Sequence, residues 1–113
     1  MLADWHLETA KELERSARVL SIDSDIHSKA IVEILFGAAH HYIACGLERK
    51  YKGHSDHHSD DSGLLRRRGE EKIAEVFESI DRLRAGRFYG KKRNGEVVTQ
   101  MFELLEEIKQ WAE

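Results

Sequence analysis

The chain has 113 residues, 41% of them hydrophobic and 35% charged, with seven histidines and a formal net charge of −3. That length suits one domain, residues 1–113, in which folding buries roughly two-thirds of the extended surface, so neither disulfides nor a second domain are needed. The composition is too apolar for a disordered chain, and the negative charge excludes wholesale coating of a nucleic acid, leaving only local patches such as Arg66-Arg67-Arg68.

The lone Cys45 lies in the apolar run Tyr42-Ile43-Ala44-Cys45, which suggests a packed thiol in a reducing compartment. The first residues carry Asp4, Glu8, Glu12 and Glu14 rather than a basic and then apolar leader, and no apolar run is expected to reach about 18 residues. A cytoplasmic protein without a membrane segment is the expectation.

There is no proline and no sustained alternation of apolar and polar residues, so the chain reads as all-α. The first helix is predicted over 3–20, with Trp5, Thr9, Leu13, Ala17 and Leu20 as its inner stripe. After the turn Ser21-Ile22-Asp23-Ser24, a second helix is predicted over 25–49. It is apolar around most of its circumference from Ala30 to Leu47, apart from Glu33, His40 and His41. Such a helix is about 37 Å long, more than a small domain readily covers. Gly37-Ala38-Ala39 and Gly46 would also permit close backbone approach, so a homodimer through this helix is expected.

Residues 51–62 have loop composition. A third helix over 63–85 presents Leu65, Ile73, Val76, Phe77, Ile80 and Leu83, and a fourth, after Arg93-Asn94-Gly95, presents Val97, Val98, Met101, Phe102, Leu105, Ile108 and Trp111. Four such elements imply an up-and-down antiparallel four-helix bundle.

Within the loop, His54-Ser55-Asp56-His57-His58-Ser59-Asp60-Asp61 places three imidazoles and three carboxylates in eight residues, donors suited to zinc, nickel or another divalent ion. His54, Asp56, His57 and His58 are the metal candidates. Dedicated bundle sites distribute their ligands over facing helices, commonly through Glu-x-x-His, and that motif is absent; a solvated loop, with Asp61 or Ser62 capping the third helix, is the plain reading. His40 and His41 are consecutive and point about 100° apart, so they cannot share one site closely; the buried one should be neutral and hydrogen-bonded. His6 and His27 carry no distinct signal. Arg49 and His54 have a spacing that could serve RNA cleavage, with imidazole as proton carrier and guanidinium as charge stabiliser. Arg84 and Tyr89 form the competing pair. Nucleophile elbows, phosphate-binding glycine loops, zinc-finger spacings and dinucleotide fingerprints are missing from the sequence.

The helix from Ser28-Lys29-Ala30 through Ala38-Ala39-His40-His41-Tyr42, the following Gly46-Leu47-Glu48, and Leu83-Arg84 leading to Phe88-Tyr89-Gly90 together resemble the HEPN family. Its members are small helical domains of prokaryotic nucleotidyltransferase operons and toxin–antitoxin systems. The resemblance covers nearly the whole chain and implies a four-helix bundle. In the family's ribonucleases, an Arg-x4–6-His motif before the last helix is paired across a dimer. Here the histidine position is Tyr89, and a phenol of ordinary pKa about 10 accepts protons poorly near neutrality. The resemblance therefore implies a non-catalytic subunit that binds a nucleotidyltransferase partner, a nucleotide or both, at Arg84, Arg87 and Tyr89. It needs no cofactor. The alternatives from the residues are a metal-independent endoribonuclease acting on RNA and a metal-binding bundle built on the His/Asp loop.

Overall fold

A computed structural model describes residues 2–89 and 94–113 of the backbone, with side chains for 3–22, 27–85 and 96–113. Helix α1 (Leu2–Leu20) and helix α2 (Ser24–Tyr51) are joined by one 3-10 turn, Ser21–Asp23. A loop and a second 3-10 turn, His58–Asp60, lead to α3 (Asp61–Arg67), α4 (Glu71–Tyr89) and α5 (Asn94–Ala112). Every element among the described residues is helical, as the periodicity predicts.

The long apolar α2 is the central element. Ile31, Val32, Leu35, Phe36, Ala38, Ala39, Tyr42, Ile43, Ala44, Cys45 and Leu47 are all buried, and they lie around the helix rather than along one stripe. Helix α1 packs along it on one side and α5 on another, while α3 and α4 cover further parts. The chain's own helices therefore cover most of this helix. The 25-residue stretch His27–Tyr51 is long and apolar enough to cross a membrane, with a mean hydropathy of 1.4 in its best window, although the sequence was expected to hold no such run. Of that window, 72% is buried inside the protein. The Cys45 thiol lies on this helix, and burial pushes its pKa up.

The inner face of α1 differs from the expected one. Ala3, His6, Ala10, Glu14 and Ala17 are buried, whereas Trp5 is 58% exposed. The small side chains at positions 3, 10 and 17 let α1 lie close to α2, and a close approach releases more apolar surface from water than one bulky ring would. The three- and four-residue spacing from Trp5 put the indole inside together with Ala17, which is buried; the alanines at seven-residue spacing set the actual phase.

The third predicted helix is two. At its break Gly69 has φ +78°. Its N–H donates to the Arg66 carbonyl at 3.1 Å and the Glu70 N–H to the Leu65 carbonyl at 2.9 Å. This paired arrangement terminates a helix around a left-handed residue, for which glycine is suited. The Glu70 carbonyl then accepts from Ala74 at 3.1 Å and starts α4. The side chain of Glu70 also accepts from the Trp111 indole N–H, which ties the α3–α4 joint to the end of α5. Trp111 lies so near Gly46 of α2 that a Cβ there would stand 2.3 Å from the ring. The glycine is therefore the space into which the indole fits.

Candidate metal centre

Three elements converge at one end of α2. His6 comes inward from the first turns of α1 because it follows the alanine stripe; His41 and Glu48 project from α2 seven residues apart, so they share a face. His54 and Asp56 come from the loop that follows α2, whose last turn ends at Lys52 in the left-handed region, φ +59°.

His6 Nε2 and His54 Nε2 stand 3.1 Å apart, His54 Nε2 and Asp56 Oδ1 3.1 Å apart, and His6 Nε2 and Asp56 Oδ1 3.8 Å apart. Behind this triangle, His54 Nδ1 donates to Glu48 Oε2 at 3.2 Å and His6 Nδ1 lies 2.9 Å from His41 Nδ1. The ring of His6 is buried and that of His54 nearly so, while the Asp56 side chain is 81% exposed.

Counting protons gives this geometry its meaning. A carboxylate can only accept, so the Glu48 contact fixes the proton of a neutral His54 on Nδ1 and leaves a lone pair at Nε2. Asp56 Oδ1 is also an acceptor. With a neutral His54, the His54 Nε2 lone pair, Asp56 Oδ1 and His6 Nε2 can all be turned to a common volume. A divalent cation satisfies all three. Ligands bound tetrahedrally at 2.0–2.1 Å are separated by about 3.3 Å, close to the two shorter edges, and the exposed Asp56 side chain can close the wider one. Two imidazoles and a carboxylate are a donor set for zinc and neighbouring transition ions. Glu48 behind His54 orients the ring as carboxylates behind metal-bound histidines do.

The electrostatics agree. Burial lowers the pKa of His6, with further lowering from the nearby His54 and His40 imidazoles. Burial, followed by the effects of His40 and His6, pushes His41 down to about 4. Both rings are held in the neutral form that ligation and its support require.

A second histidine–carboxylate pair lies beside the first. His40 Nδ1 and Asp61 Oδ2 are 2.7 Å apart, with Asp61 fully buried. Burial raises the Asp61 pKa against the hydrogen bond from His40. Asp61 had been expected to cap the following helix; instead it is the first residue of α3, the cap position is Asp60 without a side-chain capping bond, and the Asp61 carboxylate anchors the helix start to α2. His40 and His41 have separate hydrogen-bond partners, Asp61 and His6, yet their ring centroids stand 5.2 Å apart, closer than the expected 100° divergence implied.

Of the other candidates, His57 and His58 do not join the triangle. His57 is exposed, and His58 stands edge-on to Phe36 at 5.0 Å. Arg49 reaches Asp4 at 3.1 Å while His54 turns to Glu48, His6 and Asp56, so the Arg49–His54 pair is directed to separate partners. Arg84 lies 3.4 Å from both Glu33 and Asp81, with its guanidinium 4.0 Å above the Phe36 ring. It lines a cavity of about 270 Å³ with Phe36, His58, Ser59, Ser62, Phe77, Glu78 and Asp81. The side chains of Arg87 and Tyr89 lie outside the described residues.

His6, His41 and Glu48 were missed by the sequence reading. The available signal was the Ala3-x6-Ala10-x6-Ala17 stripe, which places His6 on the inner face of its helix. No family model, curated protein or solved structure matches the chain.

Proposed function

We propose that this protein is a divalent-metal-binding helical bundle whose centre is formed by His6, His54 and Asp56, with zinc the best-suited ion. The observation that carries the reading is the convergence of His6 Nε2, His54 Nε2 and Asp56 Oδ1, three potential ligand atoms, within 3.1–3.8 Å of one another. Glu48 and His41 hold the two imidazoles in the ligating orientation. In this reading α1, α2, α4 and α5 form an up-and-down antiparallel bundle, with α3 as a short inserted helix. That architecture carries ligands from a helix and a loop to one end, and the buried His6 gives the loop residues the fixed partner they lack by themselves.

Calorimetric titration of zinc into chelator-treated protein is expected to give one site per chain. His6→Ala and His54→Ala should abolish it, Glu48→Ala should weaken it by about 10- to 100-fold, and His58→Ala should leave it unchanged. Equal zinc affinity in wild type and His54→Ala would overturn the reading.

The second reading is the one implied by the HEPN resemblance, a subunit that binds a nucleotidyltransferase or nucleotide around Arg84. The cavity that Arg84 lines supports it. Its guanidinium is already engaged by two carboxylates and a ring, which a phosphate ligand would have to displace. Titration of a nucleotide into wild type and Arg84→Ala separates the readings, since the metal centre predicts no change at Arg84.

A further inference from the structure

Positive charge gathers where α1 meets the end of α5. Lys11, Arg15 and Arg18 follow one another at four- and three-residue spacing, so they share one side of α1. With Lys109 of α5 they line a cavity of about 250 Å³, in which Glu14 is the one lining carboxylate among the described residues. Four cations against one anion leave three positive charges in excess, in a chain whose net charge is −3. Glu14 is buried. It accepts from Tyr42 at 2.7 Å and from Arg18 at 2.8 Å, and it lies 3.7 Å from Lys109. It thereby holds one cation from each helix in place, and the Arg18 guanidinium also rests 4.6 Å from the centre of the Phe102 ring. Arg18 gives Nε and Nη2 to Glu14, which leaves its Nη1 available. The other two cations are not neutralised in this way. Lys11 reaches Glu113 at 3.9 Å, with both side chains partly exposed. Exposed Arg15 makes no hydrogen bond or ion pair among the described residues. Even with Glu113 counted at the rim, two positive charges remain uncompensated, and like charges at four-residue spacing repel.

We infer that this cavity binds the phosphoryl group of a small phosphorylated ligand, with Arg15 and Arg18 as forked donors and Lys11 and Lys109 as point charges. The inference is independent of the metal reading. An excess of two to three positive charges matches a di- or trianion better than a monocarboxylate. Because the donors come from two helices, the ligand has to accept from several directions at once. Phosphoryl oxygens are disposed tetrahedrally and do so, whereas a carboxylate offers two oxygens in one plane. The volume is below the roughly 300–1,000 Å³ of sites for drug-sized ligands, which suits a group of diphosphate size. Glu14 is a positioning residue: it sets the places of Arg18 and Lys109 without facing the anion as a donor.

The test is calorimetric titration of inorganic diphosphate into protein freed of metal by chelator and then dialysed. Wild type is expected to bind at one site. Lys11→Ala and Arg15→Ala should each weaken binding by about 10- to 100-fold, the worth of a hydrogen bond to a charged group. Arg15→Ala should also unfold at the same urea midpoint as wild type, since Arg15 is exposed and outside the Glu14 network. Arg67→Ala, at an exposed arginine of α3, and His6→Ala should bind as wild type does. Absence of binding in wild type, or equal affinity in wild type and Arg15→Ala, would overturn the inference. So would an equal loss in Arg67→Ala, which marks general surface charge, or a loss in His6→Ala, which marks binding through residual metal. Citrate binding as tightly as diphosphate would defeat the assignment to phosphate, and a twelve-nucleotide RNA that binds more tightly than diphosphate at this site would defeat the assignment to a small ligand. None of these outcomes alters what the zinc titration decides.

Discussion

Among single residues, Glu14 shows most directly how a buried charge is made tolerable here. It is buried on the inner face of α1, accepts the Tyr42 hydroxyl at 2.7 Å and Arg18 at 2.8 Å, and lies 3.7 Å from Lys109. Burial pushes its carboxyl pKa up, but the hydrogen bonds from Tyr42 and Arg18 and the Lys109 charge outweigh this, leaving it below the ordinary 4.5. A carboxyl held below its unfolded value contributes stability above that value and loses it as pH falls through the folded one. Tyr42 has the opposite sign: burial and the neighbouring Glu14 carboxylate raise its pKa, so its contribution disappears as pH rises past the ordinary 10. Glu14→Gln is therefore expected to cost about 1.5–3 kcal/mol at pH 7, the usual worth of hydrogen bonds to a charged group. The variant should also lose less stability than wild type between pH 5 and 2. Urea unfolding across that range checks this, and parallel curves for the two proteins would refute it. Glu14 was read from the sequence only as part of an acidic first helix, because two of its partners, Tyr42 and Lys109, come from α2 and α5.

At the scale of elements, the α3–α4 joint and the α1–α2 contact explain where periodicity succeeded and where it failed. The apolar positions Leu65, Ile73, Val76, Phe77 and Ile80 are buried as their spacing implies. The joint itself escaped because a single glycine inside a helical pattern is usually tolerated, and only its +78° φ distinguishes a helix stop from a weak helical residue. Gly69→Ala should destabilise the protein by about 1 kcal/mol, the cost of holding a Cβ-bearing residue in the left-handed region, while nothing stands within 4 Å of the added atom. An unchanged denaturation midpoint would mean that the joint relaxes to another conformation. In α1 the same periodicity supports two adjacent stripes, and the choice between them depended on how closely α2 approaches, which is a property of two helices together.

For the whole molecule, the metal reading links stability to the ion. An ion that binds only the folded chain stabilises it by about 2.7 kcal/mol at a free concentration one hundred times its Kd. Zinc should therefore raise the thermal midpoint by several degrees in wild type and by nothing in His6→Ala, as read by calorimetry; an equal rise in both would place the ion elsewhere. The sequence by itself determined the all-helical class, the central place of α2 and most of the apolar core, since these follow from local spacing and from an apolar circumference that must be covered. It also marked the loop holding His54 and Asp56 by its composition. Only the tertiary structure decided that His6 joins them, that His57 and His58 do not, and that Glu48 and His41 stand behind the imidazoles. His6 and His54 are separated by 48 residues along the chain, and their meeting depends on the phase of α1 against α2 and on the path of one loop.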